Sequence, residues 1–337
     1  VNEPTLPPEG EPRTYAMGWA PIAPRAEVPL VLALMDSLAQ VSELAILQQP
    51  VPFAELLAGA SFDSLVADRG NVADYLRAKG LDIVFLVDPL DGLDRRREDP
   101  ALLAAGRSIR EPAIRQLHEQ WVRRIAERVR PAWFGLASEI NTLAARGDPA
   151  LYAEIRDLIN TLAPQVRQHS PGTRVFVSFQ VDEANGANGR IDPIIDHFAL
   201  IDDFDIDALG LSSYPGFFFD TPAQVPDDYF ARFDAATDLP LLMVEGGWSS
   251  ADVAWGSGTP GEQVDFFRRY EQLLDGVHAQ AWVMLTFTDL DVNALGLPPE
   301  RAAGLANFAH MGLLDAALRR KPAYAEWARI RRRPLRR

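Results

Sequence analysis

Eight short apolar runs separated by longer amphipathic stretches predict an α/β chain folded as a single (β/α)8 TIM barrel. The runs are almost continuously hydrophobic, as strands buried on both faces should be. The stretches between them repeat apolar residues at helical spacing. An open doubly wound sheet usually carries a glycine-rich first turn, but here the first run leads into Trp19-Ala20-Pro21.

In chain order the expected strands are Tyr15–Ala20, Glu43–Gln48, Asp82–Val87, Ala132–Ala137, Arg174–Phe179, Ala208–Ser213, Leu241–Val244 and Gln280–Thr286. The clearest helix is Ile109–Val129, where Ile114, Leu117, Trp121, Val122, Ile125 and Val129 form one apolar stripe. Leu151–Arg167, Gly261–Leu274 and Asn71–Lys79 follow the same pattern, the last stopped by Gly80. Asp192–Phe198 and Asp227–Ala235 are shorter helix candidates. The barrel should span residues 14–330. Residues 1–13 form a Pro- and Glu-rich tether, and 331–337 are a basic tail expected to be solvated, as is the wider run from Arg329. The chain opens on Val1, which reads as a trimmed start. With a leader removed upstream, the protein is expected to be secreted, periplasmic or in the cell envelope, and a cytoplasmic location is also compatible.

The 337 residues carry 33 Lys+Arg against 47 Asp+Glu, a net charge of −14. That balance argues against nucleic acid and anionic membrane surfaces as partners. No run is long and apolar enough for membrane insertion. A monomer is the default expectation. With no cysteine there is no disulfide, thiol nucleophile or cysteine metal cluster. The five histidines lie away from strand C-termini, so no metal site and no cofactor is expected. Schiff-base chemistry needs a buried lysine. The only lysines, Lys79 and Lys321, fall at a helix end and in a polar turn.

Barrel chemistry sits at the C-terminal strand ends. Going round, these present Trp19; Gln48; Asp88 and Asp91; Ser138, Glu139 and Asn141; Gln180, Asp182 and Glu183; Tyr214; Glu245 and Trp248; then Phe287, Asp289 and Asp291. Glu139 and Glu245 directly follow apolar strands 4 and 7, a costly place for a charge unless it faces a polar cavity. Two carboxylates flanking a sugar are the machinery of glycoside hydrolysis, one giving a proton and the other attacking. Trp19, Tyr214, Phe217, Trp248, Trp255 and Phe287 are expected to supply flat faces for sugar rings. Gln48, Asp88, Ser138, Asn141, Gln180, Asp182 and Asp289 complete a polar substrate-binding rim.

On these residues the sequence resembles the clan A glycoside hydrolases, which are (β/α)8 enzymes acting with retention. FGLASEIN looks like the strand 4 motif, which implies Glu139 as acid/base, and LPLLMVEGGW like the strand 7 motif, which implies Glu245 as nucleophile. ALGLSSYPGF is similar to the strand 6 motif, whose tyrosine, here Tyr214, hydrogen-bonds the nucleophile. Asp88-Pro89 is similar to the Asp-Pro of endo-β-1,4-galactanases. The pattern departs from the clan at Ser138, where Asn is usual. Gln48 and Leu86-Val87 stand where an arginine and a histidine are common, and Phe287 or Thr288 where strand 8 usually ends in Trp.

The resemblance implies a retaining hydrolase of β-linked polysaccharides or oligosaccharides, with its two carboxyl groups about 5–5.5 Å apart. A catalytically degenerate carbohydrate-binding or cell-envelope barrel and a transglycosidase are the alternatives.

Overall fold

The computed structural model describes residues 10–336. Eight parallel strands close into a barrel: β1 (Ala16–Trp19), β2 (Leu44–Pro50), β3 (Asp82–Asp88), β4 (Trp133–Gly135), β5 (Arg174–Gln180), β6 (Ala208–Ser213), β7 (Leu241–Gly246) and β8 (Ala279–Met284). Spatial order follows chain order, and β8 returns beside β1 with Ala16 opposite Ala281. Every expected run meets its strand, with ends differing by at most two residues. Gly135 shows why β4 needs a residue with no side chain. A Cβ there would lie 2.6 Å from the Phe176 ring and 2.8 Å from Leu86.

Proline at the first helical turn, often behind a capping side chain, starts several helices. Asp99 caps Pro100–Ala104, Asp148 caps Pro149–His169 and Thr259 caps Pro260–Asp275. Each side chain accepts from backbone N–H groups the helix leaves unpaired, a contribution of about 1 kcal/mol apiece. Gly80 follows the helix Phe62–Ala78 with φ +86°, a left-handed stop that a residue with a Cβ adopts only at a cost.

Two compact units share the chain. One holds residues up to Glu43, Tyr214–Ala235 and Leu241 onwards; the other holds Leu44–Ser213 and Ala236–Pro240. The first is built on an aromatic core in which Trp327 lies edge-on to Trp19 (4.8 Å) and to Trp282 (5.0 Å). The second packs the helices Phe62–Ala78, Pro112–Val129 and Pro149–His169, and Ile114, Trp121, Val122, Ile125 and Val129 are fully buried. On the same face His118 is buried with neither ring nitrogen hydrogen-bonded, and burial pushes its pKa down to about 3.

Three expectations need correction. Asp192–Phe198 is not helical, because Asp196 turns its carboxylate onto the N–H groups of Phe198 and Ala199. A 3-10 turn follows at Ala199–Asp203. The Asp227–Ala235 candidate shrinks to Ala231–Asp234. The basic tail is only partly solvated: Pro334 and Arg336 are exposed, but other arginines are held. Arg329 pairs with Glu271 and Glu326, and Arg333 is buried against Glu271 and Asp275. Of the expected tether, residues 1–9 lie outside the described residues. Arg13 is buried, pairs with Glu43, and forms a parallel bridge with Leu335. Among the described residues no helix is long and apolar enough to cross a membrane.

Candidate active site

The Leu44–Ser213 unit carries a cluster around Glu139. This residue sits past the end of β4 as the N-cap of the helix Ile140–Arg146, with φ +50° and ψ +41°. A left-handed backbone at a non-glycine residue is strained and persists only where its surroundings enforce it. Here the Glu139 N–H donates to Ser178 Oγ of β5 at 2.9 Å. Its carboxylate accepts from Ser212 Oγ of β6 at 2.7 Å on Oε1, and from Arg95 Nε at 3.4 Å on Oε2. Arg95 comes from an antiparallel hairpin, Leu90–Asp91 with Asp94–Glu98, inserted after β3. Its guanidinium also pairs with Asp88, and both side chains are almost fully buried.

Behind Glu139, polar residues stitch the loops together. Asn141 Nδ2 donates to the Gln180 carbonyl at 3.0 Å, and its Oδ1 accepts from the Gln180 N–H at 2.7 Å. It also lies 3.1 Å from His197 Nδ1, and burial lowers the His197 pKa. Gln180 donates to Asp182 at 2.8 Å and caps the turn Val181–Ala184. Ser213 donates to Asp182 at 3.3 Å. Glu183 accepts from Thr142 and Arg146.

The other unit carries Glu245, on β7 and buried. Tyr214 follows β6 and donates its hydroxyl to Glu245 Oε1 at 2.7 Å. The Tyr214 ring stacks on Phe217 at 5.7 Å and meets Phe308 edge-on at 4.9 Å. Trp255 closes on Phe217 at 5.4 Å and on Phe308 at 6.0 Å. Trp255 is 53% exposed, so its ring is open to a bound molecule. A cavity of about 440 Å³ opens between Leu290–Asn293 and Ala302–His310. Asp289 accepts from Lys321 Nζ at 2.8 Å and from the Gly312 N–H at 3.1 Å, fastening the loop after β8. Lys321 is mostly buried, which lowers its pKa against the pull of Asp289.

The structure therefore redistributes the expected site residues. Tyr214 meets Glu245, and Glu139 meets Arg95 and Ser212. Gln48 is half-buried at the end of β2. Asp88 is committed to Arg95 and to the N–H of Leu90. Ser138, Asn141, Asp182, Trp19, Trp248 and Phe287 are each at most 1% exposed, so none forms the sugar-contacting rim expected of it. Ser138 Oγ lies 3.3 Å from Ser178 Oγ inside the barrel. Trp19 and Phe287 pack on each other at 5.8 Å, and Trp248 on Phe266 at 5.9 Å. Sequence reasoning missed Arg95, Ser212 and Phe308. The one available signal for Arg95 was Asp91-Gly92, a turn dipeptide that announces a hairpin. Among the described residues no group of three or more His, Cys, Asp or Glu could hold a metal ion.

Solved glycosidases share this fold. A GH5_18 protein from Streptomyces cattleya, in complex with Manβ1-4GlcNAc, matches with a TM-score of 0.70 at 15% identity, covering 96% of this chain and 80% of that one. The exo-β-1,4-mannosidase of Opitutaceae bacterium strain TAV5 matches with 0.71 at 14% identity, over 96% of this chain and 61% of that one. A β-glucosidase matches with 0.64 at 15% identity, over 90% and 87% of the two chains. No family model and no curated protein sequence matches this chain.

Proposed function

We propose that the protein is a retaining glycoside hydrolase acting on β-linked oligosaccharides or polysaccharides. The observation that carries this is the 2.7 Å hydrogen bond from Tyr214 to Glu245 on β7. A carboxylate buried at a barrel strand end, held by a phenol and walled by aromatic rings, suits attack on an anomeric carbon. In the first step Glu245 bonds to that carbon while the glycosidic C–O bond breaks, and the leaving oxygen takes the proton of Glu139. In the second, water attacks the glycosyl ester, passes a proton to the Glu139 carboxylate and releases Glu245. No metal or cofactor enters either step. The barrel fold shared with an exo-β-1,4-mannosidase and a β-glucosidase supports the choice of β-linked hexosides as the first substrates to test. The likeness of Asp88-Pro89 to galactanases adds nothing to it, since Asp88 is bound to Arg95.

Hydrolysis of aryl β-mannosides, β-glucosides and β-galactosides and of a polysaccharide panel tests the reading. Activity on at least one, lost by about 10³-fold or more in Glu245→Ala, supports it. Inactive wild type that still binds glycan would favour a degenerate binding barrel. A crystal structure with the Glu139 and Glu245 carboxyls beyond ~10 Å would rule out both retention and inversion.

A further inference from the structure

We infer that Arg95 is a positioning residue that holds Glu139 as a carboxylate and so governs when it carries a proton. This inference rests on the function proposed above. An acid/base residue in a retaining enzyme must serve first as acid and then as base, and an acid is usually kept protonated by apolar or like-charged surroundings. Glu139 instead has a cation and a hydroxyl donating to its carboxylate.

Both carboxylate oxygens accept from donors, Oε1 from Ser212 and Oε2 from the Arg95 guanidinium. Arg95 cannot swing away cheaply. It is 6% exposed, its Nη1 is clamped by Asp88 and also reaches the Asp91 carbonyl at 3.5 Å, and it stands on a hairpin of its own. The backbone of Glu139 is equally fixed, in its left-handed conformation with its N–H on Ser178. The groups at the carboxylate include a cation from the hairpin and a hydroxyl from β6, with Asp88 and Asp91 on the cation's other side. The function proposed above adds the negative charge of Glu245, which Arg95 offsets. On the following helix and the β5 loop, Arg146 pairs with Glu183, and Asp182 accepts from Gln180 and Ser213. A cation within 4 Å and donors to the ionised form both favour the carboxylate. Arg95 therefore favours the second, water-activating step, and confines the first, proton-giving step to lower pH.

The test is a titration that does not depend on turnover. The full chain is labelled with glutamate carrying ¹³C at the side-chain carboxyl, and the Glu139 signal is assigned by its loss in Glu139→Gln. Its midpoint is then compared in wild type, Arg95→Lys, Arg95→Gln and the double variant Asp88→Asn/Arg95→Gln. The double variant removes both members of the buried pair, so no lone buried charge is left to unfold the site. The midpoint should rise by about one pH unit or more in Arg95→Gln and in the double variant, and stay near wild type in Arg95→Lys. On an active substrate, the alkaline limb of the kcat/KM profile should move up by the same amount, because Glu139 keeps its proton to higher pH. An unmoved midpoint in the double variant would overturn the inference. Absence of hydrolysis by wild type would remove the proposed function, while the titration would still decide whether Arg95 governs Glu139.

Discussion

The two glutamates occupy opposite environments. Glu139 is held by charge and hydroxyls: Arg95, Ser212 and Ser178, with Asp88 behind. Glu245 is held by a phenol whose ring belongs to an aromatic wall of Phe217, Phe308 and Trp255. In the proposed mechanism the contrast corresponds to two roles. A residue that shuttles a proton needs donors that set its charge state. A nucleophile needs its carboxylate held in line for attack, as the Tyr214 hydroxyl holds Glu245.

Variants on each side should separate these roles, and after Glu245→Ala the larger effect is expected at Glu139. Glu139→Ala should lower turnover of substrates with poor leaving groups by about 10²–10⁴-fold, and affect activated aryl glycosides less in their first step. Steady-state rates across a series of leaving groups would read this, and a uniform loss would erase the distinction between the two carboxylates. Tyr214→Phe removes one hydrogen bond to a charged group, worth about 1.5–3 kcal/mol, so kcat/KM should fall roughly 10- to 150-fold. The aromatic packing should survive and keep the melting temperature close to wild type. A change in stability without a change in rate would make Tyr214 structural.

The unit holding Glu139 should also lose stability in acid. His118 has its pKa lowered by burial to about 3, against about 6.5 unfolded. Below pH 6.5 the unfolded chain takes up a proton that the folded chain refuses. Stability should then fall by roughly 1.4 kcal/mol per pH unit until about pH 3. Urea midpoints at pH 7 and pH 5 would measure the slope. His118→Phe, which keeps a ring against Phe53, should flatten it. An unchanged slope would show that His118 is not the group responsible.

The strands were readable because burial on both faces leaves an uninterrupted apolar run, as at Asp82–Asp88. Which arginine of the hairpin turns inward was not. Asp94–Glu98 reads DRRRE, and nothing in that run separates the buried Arg95 from the exposed Arg96 and Arg97. That Glu139 and Glu245 fall at strand ends was legible, but which way the aromatic rings turn was not. Trp19 and Trp248 sit at or just after strand ends, as sugar platforms do, yet both rings turn into the packing against helices. Which way a side chain turns depends on strand register and pleat. The spacing of residues alone does not reveal it.

The bridge between Arg13 and Leu335 bears on how the molecule would carry load. The Arg13 N–H donates to the Pro334 carbonyl at 2.9 Å, and the Arg336 N–H to the Arg13 carbonyl at 2.9 Å. These segments run parallel, so tension applied through the two ends of the chain would pull them lengthwise past each other. Such shear strains both backbone bonds at once, together with the Arg13–Glu43 and Arg333–Asp275 pairs beside them. The clasp would bear the force first, and the barrel strands would feel it only after the clasp gave way.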